Sequence, residues 1–346
     1  MILRRGTLND IFNDYIIFRE LNPVKKSLPN FNNLKDRLGL NTLPRKKDKE
    51  YALVLKEILK SALDFSSVVY LGDTFLSDLT VIKNLKELGV NIFGVITDET
   101  ATETQSPYPY VVFNTSWTKL KDFVLDKISK STILIVDIDK TAIGAHGRNH
   151  LPIDKARTDA IVSLAEIVFG HPLDLAEKEN FLKLYSKIHT KDLLQFTQDN
   201  QDIVSIVSLI IYSGAVKFEE FLDVAGRKTF EEFIEVVTVQ GKLESLVSEV
   251  KNNIKQKSPT LFPTFRKIEL EKTLARMDFL PDDTELSTLL EEEILITGEV
   301  YDIGKYALSK GAIVFGVSDK PEIASFSGDK AIFKQTMKIY PWEFSP

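Results

Sequence analysis

Short β-branched runs that end in polar turns and lead into helix-like patterns recur in the first and last parts of this chain. Ser67–Leu71 (SVVYL), Thr132–Val136 (TILIV) and Ala312–Val317 (AIVFGV) read as buried parallel strands. Asn91–Ile96 (NIFGVI) reads as a fourth strand, following a helix-like Leu79–Leu88 and a Gly89-Val90 stop. Tyr110–Phe113 (YVVF) is a short fifth. Strand, helix, strand spacing of this kind predicts βαβ units and an α/β, doubly wound parallel sheet.

Between about Asp154 and Leu290 the pattern changes period. Ala160–Phe169, Leu173–Ile188, Asp202–Ser213, Phe218–Val224, Thr229–Val237 and Lys242–Ile254 read as amphipathic helices, with glycines at 170, 214, 226 and 241 between them. The predicted organisation is an α/β core made of residues 1–145 together with 291–346, and an all-helical domain, 146–290, inserted into it. The first 45 residues are ambiguous in pattern, with Asn-, Pro- and Leu-rich turns around Asp10–Arg19, and no chemistry is placed there.

Composition narrows the function. The 346 residues are 43% hydrophobic and 27% charged, which suits a globular chain long enough for two domains. Lys and Arg number 44 against 50 Asp and Glu, a net charge of −6, so a nucleic-acid partner is not expected. There is no cysteine, which excludes disulfides, thiol nucleophiles and thiolate metal sites. His146, His150, His171 and His189 lack the spacing of a zinc motif. Met1–Gly6 (MILRRG) has no apolar signal stretch. The most apolar segment, Ile203–Val216, has 14 residues including three serines, where a bilayer span needs about 20. A cytoplasmic protein with no membrane partner is the expectation.

The most informative residues are Ile133-Leu-Ile-Val-Asp137-Ile-Asp139-Lys-Thr141. Four apolar residues deliver two carboxylates to the carboxyl end of a strand, where open α/β sheets bind their ligands. Carboxylates that close repel one another, which favours a bound cation or one raised pKa. Either suits phosphoryl transfer: one carboxylate attacks phosphorus, the other carries the proton, and Mg²⁺ offsets the anionic repulsion. An isolated Asp-x-Asp is more often a solvated turn or a helix cap; the apolar run before it and the Lys-Thr behind it favour the chemical reading.

Asp137-Ile-Asp139-Lys-Thr141 resembles the first motif, DxDx[TV], of haloacid dehalogenase-like hydrolases. The chain holds counterparts of that family's other signatures. Ser318 ends Ala312–Val317 and looks like the second motif. Gly72-Asp73-Thr-Phe-Leu-Ser-Asp78 ends Ser67–Leu71 and looks like the GDxxxxD acidic motif. Arg45-Lys-Lys-Asp-Lys49 precedes a helix-like Tyr51–Ala62, as the family's lysine segment precedes its acidic strand; Lys47 is the choice there, with Lys46 and Lys49 as close rivals. The family's order is nucleophile, Ser/Thr, Lys, acidic pair. Here the same cyclic order is cut between the second and third motifs, as a circular permutation would produce. Such a permutation requires the strands ending at Leu71 and Val136 to be adjacent, with the strand ending at Val317 on the other side of Val136.

The resemblance implies a Mg²⁺-dependent phosphatase of a small phosphorylated metabolite. Asp137 would be the nucleophile and Asp139 the acid–base. Ser318, Lys47 and Thr141 would bind phosphate, and Asp137, Asp139, Asp73 and Asp78 would surround the metal. It implies that the helical insert is a cap, with Ala142–His150 as hinge and flap, Gly144 and Gly147 permitting its turns, and His146, Arg148 and His150 within reach of substrate. Arg157 and Phe265-Arg266-Lys267 in the insert are candidates to meet an anionic substrate tail. A phosphotransferase, a phosphonate-cleaving relative and a non-catalytic binding protein of the same fold are the rival expectations.

Overall fold

The computed structural model describes residues 3–102 and 105–341. Six strands form one parallel sheet: β1 (Ile16–Ile17), β2 (Ser67–Gly72), β3 (Ile92–Thr97), β4 (Val111–Asn114), β5 (Thr132–Asp137) and β6 (Ile313–Val317). Their order across the sheet is β1-β6-β5-β2-β3-β4. Thus β5 lies between β2 and β6, with Leu71 beside Val136 and Asp137 beside Val317. That register brings the carboxyl ends of all three strands level. The five runs expected from sequence are all strands. The sixth, β1, lies in the segment whose pattern is ambiguous; two residues are too few to display an alternation.

Alternate residues of the strands serve opposite faces. Val68 and Tyr70 of β2, Ile133 and Ile135 of β5, and Phe315 and Val317 of β6 share one core with the Lys49–Ala62 and Asp78–Glu87 helices. Val69, Leu71, Leu134, Val136 and Val314 are equally buried on the other face, where the Leu120–Val124 and Gly298–Ser309 helices pack. Helices on both faces of a parallel sheet make this a Rossmann-like doubly wound α/β fold.

The chain divides into two compact units, 1–154 with 273–346, and 155–272. The division falls inside the expected 146–290: residues 146–154 and 273–290 belong to the α/β unit. Two continuous helices, Leu151–Phe169 and Pro263–Leu274, run across the division, so no break in the pattern marks it. Every regular element described in 155–272 is helical. Two of these helices open with capping boxes written in the sequence, Asp174 with Glu177 and Thr229 with Glu232. The helix Gln201–Tyr212 is the centre of that unit, with every residue from Asp202 to Ile211 buried. The most apolar stretch of the chain is therefore a core helix. Among the described residues no helix is long and apolar enough to cross a membrane.

Arg266, a candidate from sequence to meet an anionic substrate tail, is instead enclosed by carboxylates. Its guanidinium is fully buried, 2.5 Å from Asp202 and 2.7 Å from Glu269. Asp202 also accepts the backbone N–H groups of Leu261 and Phe262. A cation so enclosed between two carboxylates ties two helices together and is not offered to a ligand. Phe265 is buried beside it, Arg157 lies 3.4 Å from Glu269, and only Lys267 of the cluster is exposed.

Candidate functional site

The carboxyl ends of β2, β5 and β6 bring five of the expected residues to one edge. Asp73 follows β2, and Asp78 opens the helix that comes after it. Gly72 is needed for this turn, because a side chain there would strike the Asp78 carboxyl carbon at 2.5 Å. Asp78 Oδ2 accepts the backbone N–H groups of Asp73 and Thr74 and the Thr74 hydroxyl, at 2.9–3.1 Å. Its Oδ1 accepts the Tyr70 hydroxyl at 2.8 Å and the Lys46 ammonium at 2.6 Å. Five donors saturate this carboxylate; its work is to hold the turn and the lysine.

Lys46 is the lysine of the site. It is 3% exposed, and its ammonium lies 2.5 Å from Asp137 Oδ1 as well as on Asp78. Lys47, the choice from sequence, is exposed, and Lys49 pairs at the surface with Glu87. The segment before the Lys49–Ala62 helix is irregular, so nothing in its pattern tells which of its lysines turns inward.

One oxygen from each of Asp73, Asp78 and Asp137 lies within 4.8 Å of the others, and all three residues are buried. Three carboxylates against one ammonium leave negative charge in excess, and their proton affinities separate accordingly. Burial, with Asp78 and Asp73 adding their repulsion against Lys46, holds Asp137 well above the usual carboxylate range. Burial also raises Asp73, against the hydrogen bond from His146. At Asp78 burial is outweighed by Lys46 and the hydrogen bonds, and its carboxyl sits below the usual range. Burial works against the charge on Lys46, but Asp137 and Asp78 hold its ammonium well above the ordinary lysine value. The donor set, carboxylate oxygens with uncompensated charge, is what hard divalent cations such as Mg²⁺ take. Asp73 and Asp137 would hold such an ion directly, with Asp78 anchoring their surroundings.

Asp139 stands at the same edge, half-buried. Its Oδ1 lies 2.7 Å from the Lys320 ammonium, and its Oδ2 accepts the Ser318 hydroxyl at 3.0 Å. Ser318 is itself held by its backbone N–H on Ile17 and receives the Lys320 N–H at its hydroxyl. Lys320 is a site residue that the sequence reading missed; it sits in an irregular Ser-Asp-Lys-Pro turn, where only its distance of two residues from Ser318 could have marked it. Leu8, Phe18, Ile138, Ile332 and Phe333 line an apolar recess against Asp139. Thr141, an expected phosphate ligand, is fully enclosed, and its hydroxyl has no hydrogen-bond partner.

The loop after Asp139 is fastened to the α/β unit. Arg148 pairs with Glu99 and Glu299, each at 2.8 Å, and lies over the Tyr340 ring. Asn149 bonds the backbone at Leu290, Glu293 and Leu295. Arg148, expected within reach of substrate, is thus committed to holding the loop. His146 reaches Asp73, and His150 accepts the Gly147 N–H.

Fold and site together define an α/β, doubly wound protein with a buried acidic cluster and an inward lysine at the carboxyl edge of its sheet. Comparisons with protein-family models, with curated proteins and with solved structures found no match to this chain.

Proposed function

We propose that this protein is a Mg²⁺-dependent phosphatase of the haloacid dehalogenase-like type, with its motifs in circularly permuted order, acting on a small phosphorylated metabolite. The observation that carries the reading is the placement of Asp137 on the strand between the acidic strand and the serine strand, with a buried lysine 2.5 Å away. The adjacency that the permuted order requires, β2 beside β5 and β6 on its other side, is met. The helical unit, 155–272, follows the Asp-x-Asp turn and its loop in the chain, as the cap does in that family.

In this reading Asp137 attacks phosphorus and displaces the leaving oxygen, forming an aspartyl-phosphate. Asp139 gives that oxygen a proton. It then takes a proton from the water that attacks phosphorus and releases phosphate, restoring Asp137. Lys46 and Ser318 offset charge on the transferring oxygens. Lys320, through Asp139, sets the orientation of the acid–base. A bound Mg²⁺ would neutralise the anionic cluster and polarise the phosphoryl group.

The test is hydrolysis of an aryl phosphate with Mg²⁺, with EDTA, and by Asp137→Asn, repeated with an acceptor alcohol. Metal-dependent turnover that is lost in the variant supports the reading. Transfer of phosphoryl to the alcohol in place of water would make the protein a phosphotransferase. Full turnover by Asp137→Asn would overturn the assignment.

A further inference from the structure

The His146 ring lies between two carboxylates, with Nδ1 2.8 Å from Asp73 Oδ2 and Nε2 3.9 Å from Asp98 Oδ1. The backbone that delivers it is fixed independently of the ring. The His146 N–H donates to the Lys140 carbonyl at 2.8 Å, and the Trp117 indole N–H donates to the His146 carbonyl at 3.0 Å. Arg148 and Asn149 anchor the next turn of the loop through side chains of their own. Gly147, at φ +83°, makes the bend between them, where a side chain would strike Glu99 at 2.7 Å.

Asp73 sits differently from Asp78. Asp78 is locked by five donors, whereas the donor that reaches the Asp73 carboxylate is the imidazole. Asp78 holds the backbone of the Asp73 turn, and the imidazole is the side chain that holds the Asp73 carboxylate. A carboxylate free to rotate loses orientation each time it binds an ion; one held by a hydrogen bond on one oxygen presents the other.

We propose that His146 is a positioning residue for a divalent cation: by donating from Nδ1 to Asp73 Oδ2 it holds that carboxylate so that its other oxygen faces the Asp78–Asp137 cluster. The proposal rests on the reading of Asp73 as a metal ligand given above. It also gives the loop after the Asp-x-Asp turn a task, which is to join the acidic turn after β2 to the loop after β5. A neutral imidazole with its proton on Nδ1 suffices.

The test is direct binding of Mn²⁺ to the metal-depleted protein, followed by the EPR signal of free Mn²⁺. Wild type, His146→Ala, His146→Asn and Asp73→Asn are compared. The Asn amide nitrogen can take the place of Nδ1 and keep the donor. His146→Ala is expected to bind about 10–100-fold more weakly than wild type, and His146→Asn to recover most of that loss. Equal affinity of His146→Ala and wild type would overturn the positioning role. So would equal losses in the Ala and Asn variants, because the donor would then not be what matters. Absence of binding by wild type, or unchanged binding by Asp73→Asn, would instead overturn the metal reading itself, and the proposal with it.

Discussion

Two buried charge clusters, one in each unit of this chain, both set basic side chains against carboxylates and differ in their balance. In the helical unit Arg266 lies between Asp202 and Glu269, with Arg157 beside Glu269, so two cations face two carboxylates. Asp202 is occupied further by two backbone N–H groups. In the α/β unit Lys46 faces Asp78 and Asp137, and the neighbouring Asp73 has only the His146 ring on one oxygen in place of a fixed cation. The first cluster is balanced and fastens helices. The second carries an excess of negative charge that burial makes costly, and it lies at the sheet edge where ligands bind. Charge balance, more than burial, distinguishes the two clusters, and the unbalanced one is where the proposed cation would sit.

The largest expected effect is on chemistry. Asp137→Asn is expected to reduce aryl phosphate hydrolysis to background, while circular dichroism and the unfolding transition show an intact fold. Asp139→Asn is expected to lower kcat by about 10²–10⁴-fold, with the smaller loss for the more acidic leaving groups. Equal losses across leaving groups would remove Asp139 from the proton-transfer role.

Stability separates the two clusters more sharply. Lys46→Met leaves Asp78 and Asp137 without their cation, and Arg266→Met leaves Asp202 without its own and Glu269 with Arg157 alone; each is expected to cost about 3–5 kcal/mol in urea unfolding of the metal-free protein. Mg²⁺ is expected to restore much of the loss in Lys46→Met, because it binds the folded state alone. It should add nothing to Arg266→Met beyond what wild type gains. Rescue of both variants, or of neither, would break the distinction between the clusters.

The acid side supplies a smaller effect with a definite sign. Asp137 is held above its ordinary value of 3.8, so the folded protein takes up that proton more readily than the unfolded chain. Its contribution to stability is complete below 3.8 and is lost as pH rises through the folded value. Asp78, held below 3.8, works in the opposite sense, its contribution lost as pH falls through the folded value, but it is common to wild type and Asp137→Asn. In EDTA the Tm of wild type relative to Asp137→Asn is therefore expected to fall as pH rises above 3.8. Over the same interval Mg²⁺ binding to wild type should strengthen as the proton leaves. A difference that does not vary with pH would mean that Asp137 titrates as an ordinary carboxylate.

The smallest effect is the control for the lysine. Lys47→Met is expected to change stability by no more than about 0.5 kcal/mol and to leave turnover unaltered, since Lys47 is exposed.

The residues legible in the sequence were those fixed by regular structure. Asp73, Asp137 and Ser318 each follow a buried apolar strand, and Asp78 opens a helix, so hydrophobic periodicity located them. Lys46 and Lys320 lie in irregular segments, where period carries no information and only the tertiary fold decides which side chain turns inward. The helical unit was legible as a change of period, but its limits were not, because continuous helices cross them. Arg266 and Arg148 looked available as lone cations in sequence. Their carboxylate partners are mostly distant in the chain, Asp202 for Arg266 and Glu99 and Glu299 for Arg148, and only folding brings them together.

The central claim is that Asp137 accepts a phosphoryl group beside Lys46 with a divalent cation present. Beryllofluoride, which mimics a phosphoryl group on a carboxylate, tests it without knowledge of the substrate. With Mg²⁺, wild type should show the bound fluorine resonances of a beryllofluoride adduct by ¹⁹F NMR, and these should be lost in EDTA and in Asp137→Asn. No adduct on wild type with Mg²⁺, or an adduct that persists in Asp137→Asn, would contradict the account.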